Sequence, residues 1–130
     1  MKKRTKKKEF ILIQGTIFPF DILYTTACDH KVYNYISKNK KYTLNDEEKE
    51  KLIVIGRGKT IQLRGGQVIL RVLKEKTQIG IDLTILSHEI EHAIYFILSK
   101  CGVKHTEESD ELYAYYQQYL MKYILDRLDK

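Results

Sequence analysis

At 130 residues the chain fits one domain with a single hydrophobic core, and a hydrophobic content of 43% excludes a disordered chain. Two cysteines, Cys28 and Cys101, exclude a disulfide framework and read as buried thiols of a reducing compartment. The formal charge of +6 is accounted for by Lys2, Lys3, Arg4, Lys6, Lys7 and Lys8; without these six, 17 basic and 17 acidic side chains remain, so the body of the protein is formally neutral and not a basic nucleic-acid face.

Residues 1–8 are therefore read as a solvated basic tail, with non-specific contact to nucleic acid, an anionic surface or an acidic partner as its available use. Residues 9–130 are read as one domain. Glu9, Gln14, Pro19 and Asp21 break up the apolar run that a secretion signal needs, and Thr25 stands where a lipoprotein signal ahead of Cys28 wants an aliphatic residue. No stretch has the length of a membrane-spanning helix. A cytoplasmic protein is expected.

Residues 9–18 hold an apolar, β-prone run, Phe10 to Ile13 and then Thr16-Ile17-Phe18; Pro19 interrupts it before Phe20, Ile22, Leu23 and Tyr24 resume it, so two strands joined near Pro19 are predicted. Asp29 suits the cap of a short helix over about 30–38, with Val32, Tyr35 and Ile36 on one side. Residues 37–42 are a polar, basic loop. Asn45 and Glu48 have the spacing of a capping box, opening a helix to about Val54 that Gly56-Arg57-Gly58 ends. Thr60-Ile61-Gln62-Leu63 and Val68-Ile69-Leu70-Arg71-Val72 flank Gly65-Gly66, a hairpin signal, and polar residues 74–78 close that unit. A long helix follows from about Asp82 to Lys100, with Leu83, Leu86, Ile90, Ile94, Ile97 and Leu98 at helical spacing and Gly102 as its stop. The last helix is predicted from about Glu107 to Leu128, with Leu112, Tyr116, Tyr119, Tyr123 and Ile124 as its apolar stripe and acids crowding its start, as the helix dipole favours. The order β-β-α-α-β-β-α-α predicts an α+β domain with a small, mainly antiparallel sheet and helices packed on it.

The chemistry lies in His88-Glu89-Ile90-Glu91-His92. Two histidines four apart on a helix project from one face, about one turn apart, and two imidazole nitrogens so placed suit one Zn²⁺. Glu89 sits to one side of the pair, within reach of a metal-activated water without ligating the metal. This is the H-E-x-x-H pattern of metalloproteases, in which the metal acidifies a water, the glutamate takes the proton, and the same glutamate returns it to the leaving amine. Ala93 lets another element pack close beside the site. A catalytic zinc needs a third protein ligand. The short connection from Gly102 to Thr106 makes the next helix an antiparallel neighbour, and its acidic start, Glu107-Glu108-Ser109-Asp110-Glu111, can fold back towards the first. Glu111 is the expected ligand, with Ala114 one turn on leaving room for the metal; Glu108, Asp110 and the loop residue His105 are the alternatives.

His88-Glu89-Ile90-Glu91-His92-Ala93, followed 19 residues after His92 by Glu111 within Ser109-Asp110-Glu111-Leu112-Tyr113-Ala114-Tyr115, resembles the gluzincin class of zinc metallopeptidases. It is particularly similar to minimal zincin-like proteins of bacteria and bacteriophages, including ImmA/IrrE-type domains. The resemblance covers residues from about 80 to 128. It implies a zincin-like fold, Zn²⁺ held by His88, His92 and Glu111, and Glu89 as general base in the hydrolysis of a peptide bond. A small, single-domain enzyme with an open cleft is expected to nick one specific protein partner rather than digest peptides broadly. Leu98, six residues after His92, is not the third histidine of the metzincins. The larger gluzincins carry a second subdomain with an oxyanion-stabilising His or Tyr; here Tyr95, Tyr113 and Tyr115 are the substitutes on offer.

A rival reading is a structural or assembly protein, for instance of a bacteriophage particle, that keeps the fold with a structural or vestigial metal site. Tyrosines 113, 115, 116, 119 and 123 would then make the last helix an assembly surface. Glu89 and His92 also form an E-x-x-H unit, but His30 and His105 follow Ala27 and Gly102 at that spacing, so the second half of a di-iron site is missing. The glycine segments lack the P-loop pattern.

Overall fold

The computed structural model describes residues 9–15, 18–38, 44–53, 56–73 and 83–128. The basic tail, Thr16-Ile17, much of the 37–42 loop, Val54, the polar segment 74–78 and Asp82 lie outside them. In chain order the elements are β1 (Phe10–Ile13), β2 (Ile22–Thr25), α1 (Asp29–Lys38), α2 (Asp46–Lys51), β3 (Gly58–Gln62), β4 (Val68–Val72), α3 (Leu83–Lys100) and α4 (Asp110–Leu128). The protein is α+β, as the element order predicted.

The sheet is mixed, with strand order β1-β2-β4-β3. Both outer pairs, β1 with β2 and β3 with β4, are antiparallel hairpins, but the two hairpins join through a parallel pairing of β2 with β4. Ile22 lies beside Val68 and Tyr24 beside Leu70 in that central pair. Two of the three pairings are thus antiparallel, as expected, and the parallel pair at the centre makes the sheet mixed. Both central strands are buried on both faces, so their apolar runs give no period to orient one hairpin against the other.

Strand alternation sorts the core into two layers. Ile22, Tyr24, Val68, Leu70 and Val72 face α3 and α4, meeting Leu86, Ile90, Ala93, Ile94, Ile97, Leu120 and Ile124. Leu23, Ile61, Leu63 and Ile69 face the other way, onto Val32, Ile36 and Leu52 around α1 and α2. Removing such side chains from water stabilises by about 1.5–3 kcal/mol each, so the two layers supply the main folding force.

Local chemistry sets the ends of the elements. The capping box at α2 is formed in both directions, Glu48 N to Asn45 Oδ1 at 2.7 Å and Asn45 N to Glu48 Oε1 at 3.1 Å. The buried Glu48 also accepts a bond from Arg64 N at 2.8 Å, tying α2 to the β3–β4 turn. In that turn only Gly66 takes a left-handed conformation, at φ +99°, and the Phe20 ring stands where its Cβ would be. Asp29 is the first residue of α1 rather than its cap, and its carboxylate pairs with Arg71.

α4 begins three residues later than predicted, at Asp110. Thr106 N donates to Ser109 Oγ at 2.8 Å, and Tyr113 N takes up Ser109 O at 3.2 Å, so Glu107 and Glu108 sit in the turn before the helix. Its buried stripe is Tyr113, Leu120 and Ile124; Leu112 and Tyr119, placed on the apolar stripe by spacing, are exposed. Cys28 and Cys101 are also exposed and free, which corrects the expectation of buried thiols. Both lie in connections, just before α1 and just after α3, where the chain runs along the surface. Among the described residues no helix is long and apolar enough to cross a membrane.

Candidate metal centre

The α3 helix buries Leu86, Ile90, Ala93, Ile94, Ile97 and Leu98 and turns the opposite stripe, including His88 and His92, to solvent. The helical period brings the two imidazoles together. Their Nε2 atoms are 3.1 Å apart, with ring centroids at 4.8 Å and planes at 77°. Zinc–nitrogen bonds of ~2.0–2.1 Å put neighbouring vertices of a tetrahedron about 3.3 Å apart. The observed separation is close to that spacing, and it is also a hydrogen-bond distance between the two rings.

Glu89 lies on the side of α3 that faces β3. It is buried, at 6% exposure, one residue from an exposed histidine. Thr60 Oγ1 stands 2.9 Å from Glu89 Oε1 and 3.0 Å from the Glu89 main-chain oxygen. Two residues along the same face of β3, Gly58 leaves the room the side chain occupies: a Cβ there would lie 2.9 Å from Glu89 Cγ. Gln62, next on that face, donates from Nε2 to Phe96 O at 3.1 Å. The non-apolar positions 58, 60 and 62 thus fasten β3 to α3 instead of facing water. In the sequence this alternation marks only a hairpin strand and gives Thr60 no role; the signal is a run of small and polar residues at every second position, which here meets a helix.

On the other side α3 meets α4. Gln117 Nε2 donates to Ser87 Oγ at 3.0 Å, while Ile94 shares a recess with Tyr113 and Ala114, so the two helices run antiparallel as expected. The recess, about 190 Å³, is lined by Glu91, Ile94, His105, Asp110, Tyr113, Ala114 and Gln117. His105 lies flat on the Tyr113 ring, centroids 4.0 Å apart, and its Nε2 is 2.9 Å from Asp110 Oδ1. Tyr113 donates its hydroxyl to Val103 O at 3.1 Å; burial, and then the neighbouring Tyr95, hold its phenol above the usual tyrosine range.

The three expected ligands are not brought together. Glu111 is exposed, and at ~100° per residue it lies about 200° around α4 from the buried Tyr113, on the outer face. Asp110 is the acid of that segment turned into the recess beside Glu91. Among the described residues, no three His, Cys, Asp or Glu side chains stand close enough to share one ion.

A larger cavity, about 240 Å³, opens between the β1–β2 connection and α4, lined by Phe18, Phe20, Leu112, Tyr115, Tyr116 and Tyr119 among others. The tyrosine-rich helix is thereby divided: Tyr113 is buried, Tyr116 and Tyr123 are half-buried, and Tyr115 and Tyr119 are exposed.

Comparison with protein-family models, with curated proteins and with solved structures finds no match to this chain.

Proposed function

We propose that this chain is a zinc-dependent peptidase of zincin-like fold, with His88 and His92 as metal ligands and Glu89 as general base. The observation that supports it is the pairing of two exposed imidazoles, 3.1 Å between Nε2 atoms, on a helix whose intervening Glu89 is buried and held by a neighbouring strand. Bound zinc would supply a Lewis acid that polarises the scissile carbonyl and acidifies water. Glu89 would accept the proton and return it to the leaving amine. Among the described residues β3 pairs only with β4, so its outer backbone groups are open to an extended peptide running past Glu89.

The third ligand comes from the acidic start of α4. Spacing and the gluzincin resemblance favour Glu111; the packing favours Asp110, which would have to leave His105. Zinc affinity of Glu111→Gln against Asp110→Asn separates the two. A protein substrate, and a setting in a bacterial cytoplasm or a bacteriophage particle, belong to the same proposal.

A second reading, an assembly protein with a vestigial site, draws on different observations: the absence of a third close ligand among the described residues, and the exposed Leu112, Tyr115 and Tyr119 on α4. The test is the set of new N-termini produced in a proteome-derived peptide mixture by the zinc-loaded chain. Cleavage by the wild type and none by Glu89→Gln supports the peptidase. Identical termini from both proteins, or none from either, leave the assembly reading.

A further inference from the structure

We infer that Thr60 is a positioning residue for the general base, and that Gly58 makes the seat it works in; this rests on the peptidase reading of the same site. Glu89 has many rotamers on an isolated helix, and a base that samples them is seldom aimed at the reacting water. Here β3 removes that freedom. Gly58 and Thr60 are alternate residues, so they share one face of the strand. The first offers no Cβ, and the added atom would meet Glu89 Cγ at 2.9 Å, Ile85 Cγ2 at 3.0 Å and Arg71 O at 3.2 Å. The second holds the carboxylate oxygen at 2.9 Å.

A threonine hydroxyl has one proton, and Oγ1 is within hydrogen-bond distance of both the Glu89 carboxylate and the Glu89 main-chain oxygen. That one proton, on a strand residue 29 positions away, goes to the carboxylate or is shared with the main-chain oxygen beside it, so one atom stands against both the side chain and its own backbone. The β-branched Thr60 has few χ1 choices, which fixes that atom in turn. The side chain of Glu89 is held, and its second oxygen, Oε2, is left for the reaction.

The experiment compares the full-length wild type with Thr60→Ser, Thr60→Val and Gly58→Ala, all zinc-replete. Three quantities are read: zinc per chain, the rate at which a water-soluble carbodiimide with glycinamide modifies Glu89 (by peptide mass spectrometry), and the kcat and KM for quenched fluorescent casein. Zinc per chain should match the wild type in every variant, since no metal ligand is altered. Labelling of Glu89 should be slow in the wild type and Thr60→Ser and rise at least about fivefold in Thr60→Val. The kcat should fall at least tenfold in Thr60→Val, towards the roughly hundredfold that a small misplacement costs, with KM unchanged and most of the loss recovered in Thr60→Ser. Gly58→Ala should release Glu89 in the same way. Equal labelling of Glu89 in Thr60→Val and the wild type, both folded by circular dichroism, would overturn the inference whether or not casein is cut. If labelling responds but the wild type cleaves no casein, the seat stands and the peptidase reading is what has failed.

Discussion

Arg71 is the most deeply buried charge described, at 1% exposure in the middle of the sheet, and its replacement tests how the site is supported. Its guanidinium reaches three acceptors. Nη2 donates to Ala27 O at 2.8 Å, and Nη1 serves both Leu52 O and Asp29 Oδ1. The ion pair with Asp29 attracts notice first, but the Asp29 side chain is 49% exposed, so solvent screens it and its share is about 0–1 kcal/mol. The two main-chain oxygens matter more. Each, left buried and unpaired, costs roughly 1–3 kcal/mol. Arg71→Met, which keeps most of the apolar stem, should therefore lose about 2–5 kcal/mol, whereas Asp29→Asn should lose under about 1 kcal/mol. Urea unfolding with an m value of about 1–3 kcal/mol/M would show the first as a midpoint drop on the order of 2 M. Losses of similar size in the two variants would instead make the ion pair, not the carbonyls, the anchor. Arg71 lies opposite Lys59 in the β3–β4 register, so loosening it should also disturb the seat of Glu89.

Other consequences are open to the same kind of measurement. Tyr24 is fully buried, and among the described residues its hydroxyl has no partner. Tyr24→Phe should therefore raise stability by up to about 1–2 kcal/mol in thermal or urea unfolding. Burial also holds the Tyr24 and Tyr116 phenols well above the ordinary value of 10.0. Above pH 10 the unfolded chain then gives up protons that the folded chain keeps, so stability is full below pH 10 and falls as pH rises beyond it. The fall should be shallower in Tyr24→Phe. Gly66→Ala should destabilise by more than about 1 kcal/mol, since the backbone is at φ +99° and the added carbon would lie 2.3 Å from the Phe20 ring; an unchanged melting temperature would contradict the turn geometry.

What the sequence made legible was local. His88 and His92 are one helical turn apart, so their meeting follows from the helical period of α3 alone, and the Asn45–Glu48 box depends on three residues of spacing. The parallel pairing of β2 with β4 depends on a crossover through α1, α2 and β3, and fully buried strands carry no alternation that would reveal it. The partner of Glu89 was equally hidden. Thr60 is 29 residues away, and a polar strand face looks the same whether it meets water or a helix. At the start of α4, the acids fit the helix dipole wherever the first turn begins. The bonds between Thr106 and Ser109 set that point at Asp110, while the buried stripe of Tyr113, Leu120 and Ile124 sets the phase that turns Asp110 in and Glu111 out.

The zinc site is tested by zinc per chain after reconstitution and removal of loose metal, in the wild type, Glu89→Gln and His92→Ala. Close to one zinc is expected in the wild type and in Glu89→Gln, and near none in His92→Ala. A wild type that retains no more zinc than His92→Ala would contradict the site and leave the histidine pair an ordinary surface contact of α3.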